Sequence, residues 1–227
     1  MSTLSLDAAL KLLKPGTPAS VEAVNAWKAV KLFADTLPTY VGKIHLLVAC
    51  TGVLVTLSVA ATLCRGLTST ITTEKKHKSY TLNTALLTIT TMITTVMSSL
   101  GAFNCARHLN LVPFRVMSCM VEDLNPQSSI SMRTMAAWNG LEKIVNKVPL
   151  IIKSIEKLSA WTAGCAALAL VVSVITIRSQ TIQHKNKPSR PLATDRLDEK
   201  VIISCLGLAI VTSIGTIAYA KMYTPIH

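Results

Sequence analysis

Charged and aromatic side chains are both scarce in this chain of 227 residues, at 15% and 4%. Water-soluble domains carry about a quarter charged residues, so the composition argues against an ordinary soluble fold. With so few rings, a large aromatic core is ruled out as well. Acids are the scarcer charge, 11 Asp and Glu against 23 Lys and Arg. The mean hydropathy is nevertheless +0.47. Aliphatic residues, Ala and Thr carry it, and they cluster in blocks.

The chemistry of an active site is missing too. The six cysteines (Cys50, Cys64, Cys105, Cys119, Cys165 and Cys205) form neither a CxxC pair nor a Cys/His metal spacing. Disulfide frameworks belong to small secreted domains, so free, buried thiols are expected. His45, His77, His108, His184 and His227 are scattered, and none has a second ligand at metal spacing. No glycine-rich phosphate loop and no nucleophile beside a base is present. These absences point away from an enzyme and away from any cofactor, metal or small-molecule substrate.

The basic balance, +12 overall, suits either an anionic membrane face or nucleic acid. Because the basic residues lie between long apolar blocks, the lipid bilayer is the favoured partner. Nucleic-acid binding is not expected, since aromatics are not interleaved with the charges.

Four intervals contain no charged residue: Ile44 to Cys64, Ser79 to Ala106, Leu158 to Ile177 and Val201 to Ala220. Each holds at least 20 residues, the length that crosses a hydrocarbon core of about 30 Å as a helix. In lipid, backbone polar groups must pair within the segment, which predicts helices despite the Val, Ile and Thr content. An ion-coupled carrier normally keeps a charge inside its spans, and none lies there. The second interval is rich in hydroxyls, including Thr88, Thr90, Thr91, Thr94, Thr95, Ser98 and Ser99. Helical Thr can bond back to the preceding turn. These positions spread around the helix, so a hydroxyl-lined pathway is not the expected reading; a small channel or transporter is the competing class.

Short basic links separate the first and second intervals and the third and fourth. The expected fold is therefore an all-α integral membrane protein with four transmembrane helices as two hairpins, plus amphipathic helices outside the bilayer. The segments read as an N-terminal amphipathic part (1–40), a first hairpin (41–106), a central linker (107–157), a second hairpin (158–221) and a short tail (222–227). The links hold ten of the Lys and Arg residues and the longer remainder thirteen. Charge density and total charge thus favour opposite orientations.

Outside the intervals, Leu4 to Leu13 predicts a helix ended by Lys14-Pro15-Gly16. Thr17 as N-cap and Pro18 at the first turn open a second helix. Its apolar residues Val21, Val24, Trp27, Val30, Phe33 and Leu37 step by three and four, and Pro38 closes it. In the central linker Leu141, Ile144, Val145, Val148, Ile151, Ile152 and Ile155 repeat in the same way, with Pro149 interrupting the ladder. This seam suits the chain's own helices, a partner protein's helix or a membrane surface. Small residues Ala160, Ala163, Gly164 and Ala167 in the third interval, and Gly207, Ala209, Ser213 and Gly215 in the fourth, predict close helix packing. The same face could also serve a homo-oligomer. No cleavable signal peptide is visible, so insertion is expected through an internal span or a dedicated secretion route.

The paired intervals Ile44 to Phe103 and Leu158 to Ala220, behind a Ser/Thr-bearing N-terminus, resemble the inclusion membrane proteins of Chlamydia in architecture. That resemblance implies a multi-pass protein of a pathogen vacuole (inclusion) membrane. Its termini would face the host cytosol, and its helical segments would recruit host proteins or organise membranes. The stretch Gly140 to Val148 is similar to the amphipathic region with which picorna-like viral polyproteins bind replication membranes. That likeness implies a membrane-remodelling protein as the alternative.

Overall fold

Every described regular element is an α-helix, in the order α1 (Leu6–Leu12), α2 (Val21–Thr72), α3 (Lys78–Asn110), α4 (Phe114–Asp123), α5 (Met132–Lys185) and α6 (Ala193–Tyr223). The computed structural model describes residues 6–18, 20–72, 78–110, 114–126, 131–185 and 193–223, with side chains described for 6, 8–18, 20–63, 88–109, 116–126, 131–175 and 200–222. The side chains of the basic links, with Cys64, His77, Thr81, Thr84 and His184, lie outside the described residues, as do Leu4 and His227.

One feature of the sequence reading changes. Pro38 does not close a helix; like Pro149, which was expected only to interrupt the ladder, it sits inside a long helix. An interior proline removes one ladder bond and costs about 3 kcal/mol. Burial on either side outweighs that. Along α2 the buried positions Val30, Phe33, Leu37, Val41, Ile44 and Val48 continue at three- and four-residue steps straight past Pro38. Along α5 Leu141, Val145, Val148, Ile152, Ile155 and Ser159 do the same past Pro149.

The helix starts also differ from expectation. Ser20, not Thr17, caps α2: its Oγ accepts the Ala23 amide at 3.1 Å and its carbonyl accepts that of Val24. Thr17 instead closes α1, donating its hydroxyl toward the Leu12 and Lys14 carbonyls. Gly16 takes φ 102° between them, a left-handed turn residue that glycine adopts without steric cost. At α5, Ser131 and Thr134 form a reciprocal box, the Thr134 amide donating to Ser131 Oγ (3.3 Å) and the Ser131 amide to Thr134 Oγ1 (2.8 Å).

The chain divides into two compact units. Unit 1 is built from 1–46, 104–156 and 218–227. Its interior is made of large aliphatics such as Leu37, Ile44, Leu109, Met117, Leu141 and Ile152, all under 3% exposed. Charged residues lie outside: Lys28, Asp35, Glu122, Glu142, Lys143 and Lys147 are exposed. Two indoles dock the short helices, Trp27 Nε1 donating to the Val121 carbonyl (2.7 Å) and Trp138 Nε1 to the Leu10 carbonyl (3.2 Å). Lys31 pairs with Glu122 at 3.6 Å and stands over the Trp27 ring. At that exposure the ion pair contributes at most about 1 kcal/mol.

The seam from Leu141 to Ile155 belongs to this interior. Leu141, Ile144, Val145, Val148, Ile152 and Ile155 are buried and Ile151 is half-buried, so the chain's own helices occupy it. A partner could reach these residues only by unpacking unit 1. Truncating a buried Leu or Ile costs about 2–5 kcal/mol. Leu141→Ala and Ile152→Ala are therefore expected to lower the thermal midpoint of the detergent-solubilised protein by several degrees, measured by near-ultraviolet circular dichroism. Leu150→Ala, on the exposed side of the same helix, is expected to leave it within one degree.

Candidate functional site

Unit 2, from 47–103 and 157–217, is built the other way round. Each of its four helices turns inward a stripe in which small or hydroxyl-bearing residues stand beside a few large ones. On α2 the buried positions include Thr51, Val55 and Ser58, and on α3 Met92, Thr95, Ser99 and Ala102. On α5 they are Ser159, Thr162, Ala166 and Ala169, and on α6 Ile202, Leu206, Ala209, Ser213 and Thr216. Every stripe follows the three- and four-residue step that puts side chains on one helix face.

Two layers fill this interior. In one, Met92, Ala166, Ala169, Ile202 and Leu206 form an apolar cluster with Val59 and Ile210 against it. In the other, hydroxyls from all four helices meet around Thr51, Ser99, Ser159, Thr162 and Ser213. Thr51 Oγ1 donates to Thr212 Oγ1 at 2.8 Å, joining α2 to α6. Thr162 Oγ1 donates to Ser98 Oγ at 3.0 Å, joining α5 to α3. Both bonds cross between the hairpins rather than within them. Ser213 Oγ is buried with no hydrogen-bond partner. The space these side chains enclose is too narrow to admit a water molecule. Elsewhere hydroxyls bond back to their own helix, as Thr95 does to the Thr91 carbonyl (2.6 Å) and Ser173 to that of Ala169 (2.7 Å).

The outer surface carries what a soluble bundle would hide. Val53, Leu57, Met97, Leu168, Val211 and Ile214 are all at least half exposed, and Trp161 is 70% exposed. Isolated exposed aliphatics are ordinary. A contiguous apolar surface around a hydroxyl-bearing interior instead marks contact with another apolar phase or partner.

Two expectations about this region are corrected. Among the described residues three helices, not four, are long and apolar enough to cross a membrane: those containing Val21–Leu63, Met132–Ile175 and Lys200–Met222. The described part of α3 falls short because Thr90, Thr91, Thr94, Thr95, Ser98 and Ser99 dilute its aliphatics. Those hydroxyls do not share a face: Thr95 and Ser99 are buried while Thr90 and Thr94 are exposed.

The second correction concerns helix packing. Ala160 and Gly164 are exposed and Ala163 and Ala167 only half-buried. A side chain at Gly164 or Gly207 would meet nothing within 4 Å. The close-packed stripe on α5 lies one residue earlier, at Ser159, Thr162, Ala166 and Ala169. On α6, Ala209 and Ser213 are buried as expected, and Gly215 lies against the end of Leu47.

No described group of three or more His, Cys, Asp or Glu could hold a metal. The described cysteines are thiols, but only Cys205 is buried; Cys50 and Cys119 are exposed. Compared with protein-family models, curated proteins and solved structures, the chain matches none.

The polar layer makes a graded prediction. Interhelical hydroxyl bonds in membranes contribute about 0.6 kcal/mol on average and up to about 1.7, so Thr51→Val and Thr162→Val should each destabilise by that order. Ser213→Ala removes a desolvated hydroxyl with no partner, a group that costs about 1–3 kcal/mol to bury, and should leave stability unchanged or raise it. Ala166→Leu should destabilise by about 1–3 kcal/mol through overpacking, whereas Gly164→Leu should not. Unfolding of the purified protein by dodecyl sulfate titration, followed by helicity, measures all four.

Proposed function

We propose that this protein is an integral membrane protein whose four long helices cross a bilayer as two hairpins, α3 included. Unit 1 then stands outside the lipid as a helical body that serves as a non-enzymatic interaction or membrane-organising platform. One observation carries the reading. Ser, Thr and Ala predominate inside unit 2, beside a few large side chains such as Met92, Ile202 and Leu206. Its described outside carries large aliphatics, with charge only at Lys157 and Lys200, whereas unit 1 packs large aliphatics inside and carries its charged residues outside. Hydrocarbon tails are as apolar as leucine, so in lipid no gain comes from hiding aliphatics. Helices there associate through small residues and interhelical hydrogen bonds.

The span count of four follows from the same pattern. The inward face of α3 (Met92, Thr95, Ser99, Ala102) is equivalent to those of its three more apolar neighbours, and Ile89, Ile93, Met97 and Leu100 face outward. A helix that shares the core of such a bundle shares its solvent. Closed packing at the hydroxyl layer favours a platform over a conduit.

The partner-binding surface of a platform would lie on the exposed faces of unit 1, since its apolar seam is internal. The inclusion-membrane resemblance gives this reading its most specific form, a secreted multi-pass protein engaging host factors. The viral membrane-remodelling alternative rested on Gly140 to Val148. In that stretch Leu141, Ile144, Val145 and Val148 are buried within unit 1, which leaves the stretch little apolar surface for a membrane.

The test is insertion. Arg in the middle of a span costs about 2.5–3.5 kcal/mol. Leu208→Arg with Val211→Arg is expected to move the protein from the alkaline-carbonate-resistant membrane pellet into the soluble or degraded fraction. Lys143→Glu with Lys147→Glu should stay in the pellet. Carbonate extraction of the unaltered protein would sink the proposal.

A further inference from the structure

Four exposed cations stand at equivalent positions on the long helices: Lys43 on α2, Arg107 on α3, Lys153 on α5 and Lys221 on α6. All belong to unit 1, and each lies four residues, about one helical turn, outside the stretch that its helix gives to unit 2. The turns that carry them are nearly free of acids. Residues 36–46, 104–110 and 218–223 contain no Asp or Glu, and Glu156 is the one acid near Lys153. Lys43 Nζ stands 5.5 Å from the Tyr219 ring centroid, which places the α2 and α6 members side by side. His108 follows Arg107 and is exposed too. Tyr40 and Tyr219 are half-buried among these residues, the aromatic type that settles at a membrane–water boundary.

We propose that these four cations form a collar that binds anionic lipid headgroups, so that the protein selects acidic phospholipids from the bilayer around it. The inference rests on the membrane reading above. The chemistry is that of Lys and Arg with phosphate: charge-assisted hydrogen bonds from an ammonium or guanidinium to phosphate oxygens, bidentate for Arg107. Position supplies the selectivity. Lys43, Arg107 and Lys221 directly border charge-free intervals, and Lys153 lies one turn beyond the exposed Lys157 that borders the third; the headgroup layer begins at these interval ends. A Lys or Arg held there meets an acidic headgroup with an affinity about fivefold higher per charge than a neutral surface offers.

Trp161 reports on the same lipids. It is exposed on α5, eight residues beyond Lys153, about 12 Å further along the helix, at the depth of the upper acyl chain of a lipid whose headgroup is at the collar. The experiment reconstitutes the full chain into phosphatidylcholine vesicles containing a minor fraction of acyl-brominated phosphatidylglycerol or, in parallel, acyl-brominated phosphatidylcholine. Quenching of Trp161 is taken as the difference between the unaltered protein and Trp161→Phe. The expected result is roughly two- to fivefold stronger quenching by the brominated phosphatidylglycerol. The preference should be lost in Lys43→Gln/Arg107→Gln/Lys153→Gln/Lys221→Gln and weakened at 1 M salt, where the screening length falls to about 3 Å.

Equal quenching by the two lipids, or a phosphatidylglycerol preference that survives the quadruple substitution, would overturn the collar. Absence of quenching by either lipid would instead overturn the membrane reading beneath it. All four side chains are exposed, so the variant should keep its helicity, which the same samples report by circular dichroism.

Discussion

A helix that passed from one solvent into another would have to exchange what it buries for what it exposes, and α2 and α5 each change their buried and exposed residues along one continuous helix. On α2 the buried positions run from Val30, Phe33, Leu37 and Ile44 to Thr51 and Ser58, while the exposed ones run from Lys28 and Lys43 to Val53 and Leu57. On α5 the buried positions change from Leu141, Ile152 and Ile155 to Ser159, Thr162 and Ala166. The exposed ones change from Lys143, Lys147 and Lys153 to Trp161, Leu168 and Val171. The helical period is continuous; charge leaves the exposed face and hydroxyls enter the buried one, while aliphatics such as Leu32, Leu46 and Leu150 are exposed before the change and Val55 is buried after it. In water the hydrophobic effect rewards burying large aliphatics. In hydrocarbon that reward vanishes and close backbone approach takes over. On the membrane reading proposed above, each rule applies in its own stretch of the same helices.

The exchange explains why hydroxyls are so numerous where charge is absent. Thr and Ser can satisfy themselves against the preceding turn, so they enter an apolar phase at modest cost. They also leave a donor and an acceptor for a neighbouring helix. Thr51 with Thr212 and Thr162 with Ser98 use that capacity to join one hairpin to the other. Ionisable groups have no such option inside lipid, and the four charge-free intervals contain none. The small side chains between these bonds bring the backbones close and leave no room for water.

Much of this is legible in the amino-acid sequence, because absence of charge over 20 residues is a signal that needs no neighbours. Charge-free intervals located the long helices, and periodicity found the inward faces of α2 and α5 in unit 1. Boundaries were not legible. Pro38 reads as a stop because the local cost of proline is visible in one dimension, whereas the buried stripe that outweighs it becomes visible only when the helices pack. The inward stripe of α5 was missed by one residue. Ala160, Ala163 and Ala167 step by three and four as Ser159, Thr162 and Ala166 do, one residue and about 100° away on the helix. A bias toward glycine favoured the wrong one. What distinguished them was hydroxyl content, since a Ser or Thr at the step of a small-residue stripe has a reason to face a neighbour. The seam in α5 is legible but its occupant is not, because an amphipathic pattern does not say whose helix covers it.

The account stands on which solvent touches the outer face of unit 2. Nitroxide labels at positions 57, 168 and 211, compared with labels at 142 and 147, measure that directly through their collision rates with oxygen, which concentrates in lipid, and with a nickel chelate, which stays in water. The prediction for the reconstituted protein is oxygen-dominated relaxation at the first three sites and nickel-dominated relaxation at the other two. Nickel-dominated relaxation at 57, 168 and 211 would contradict the account.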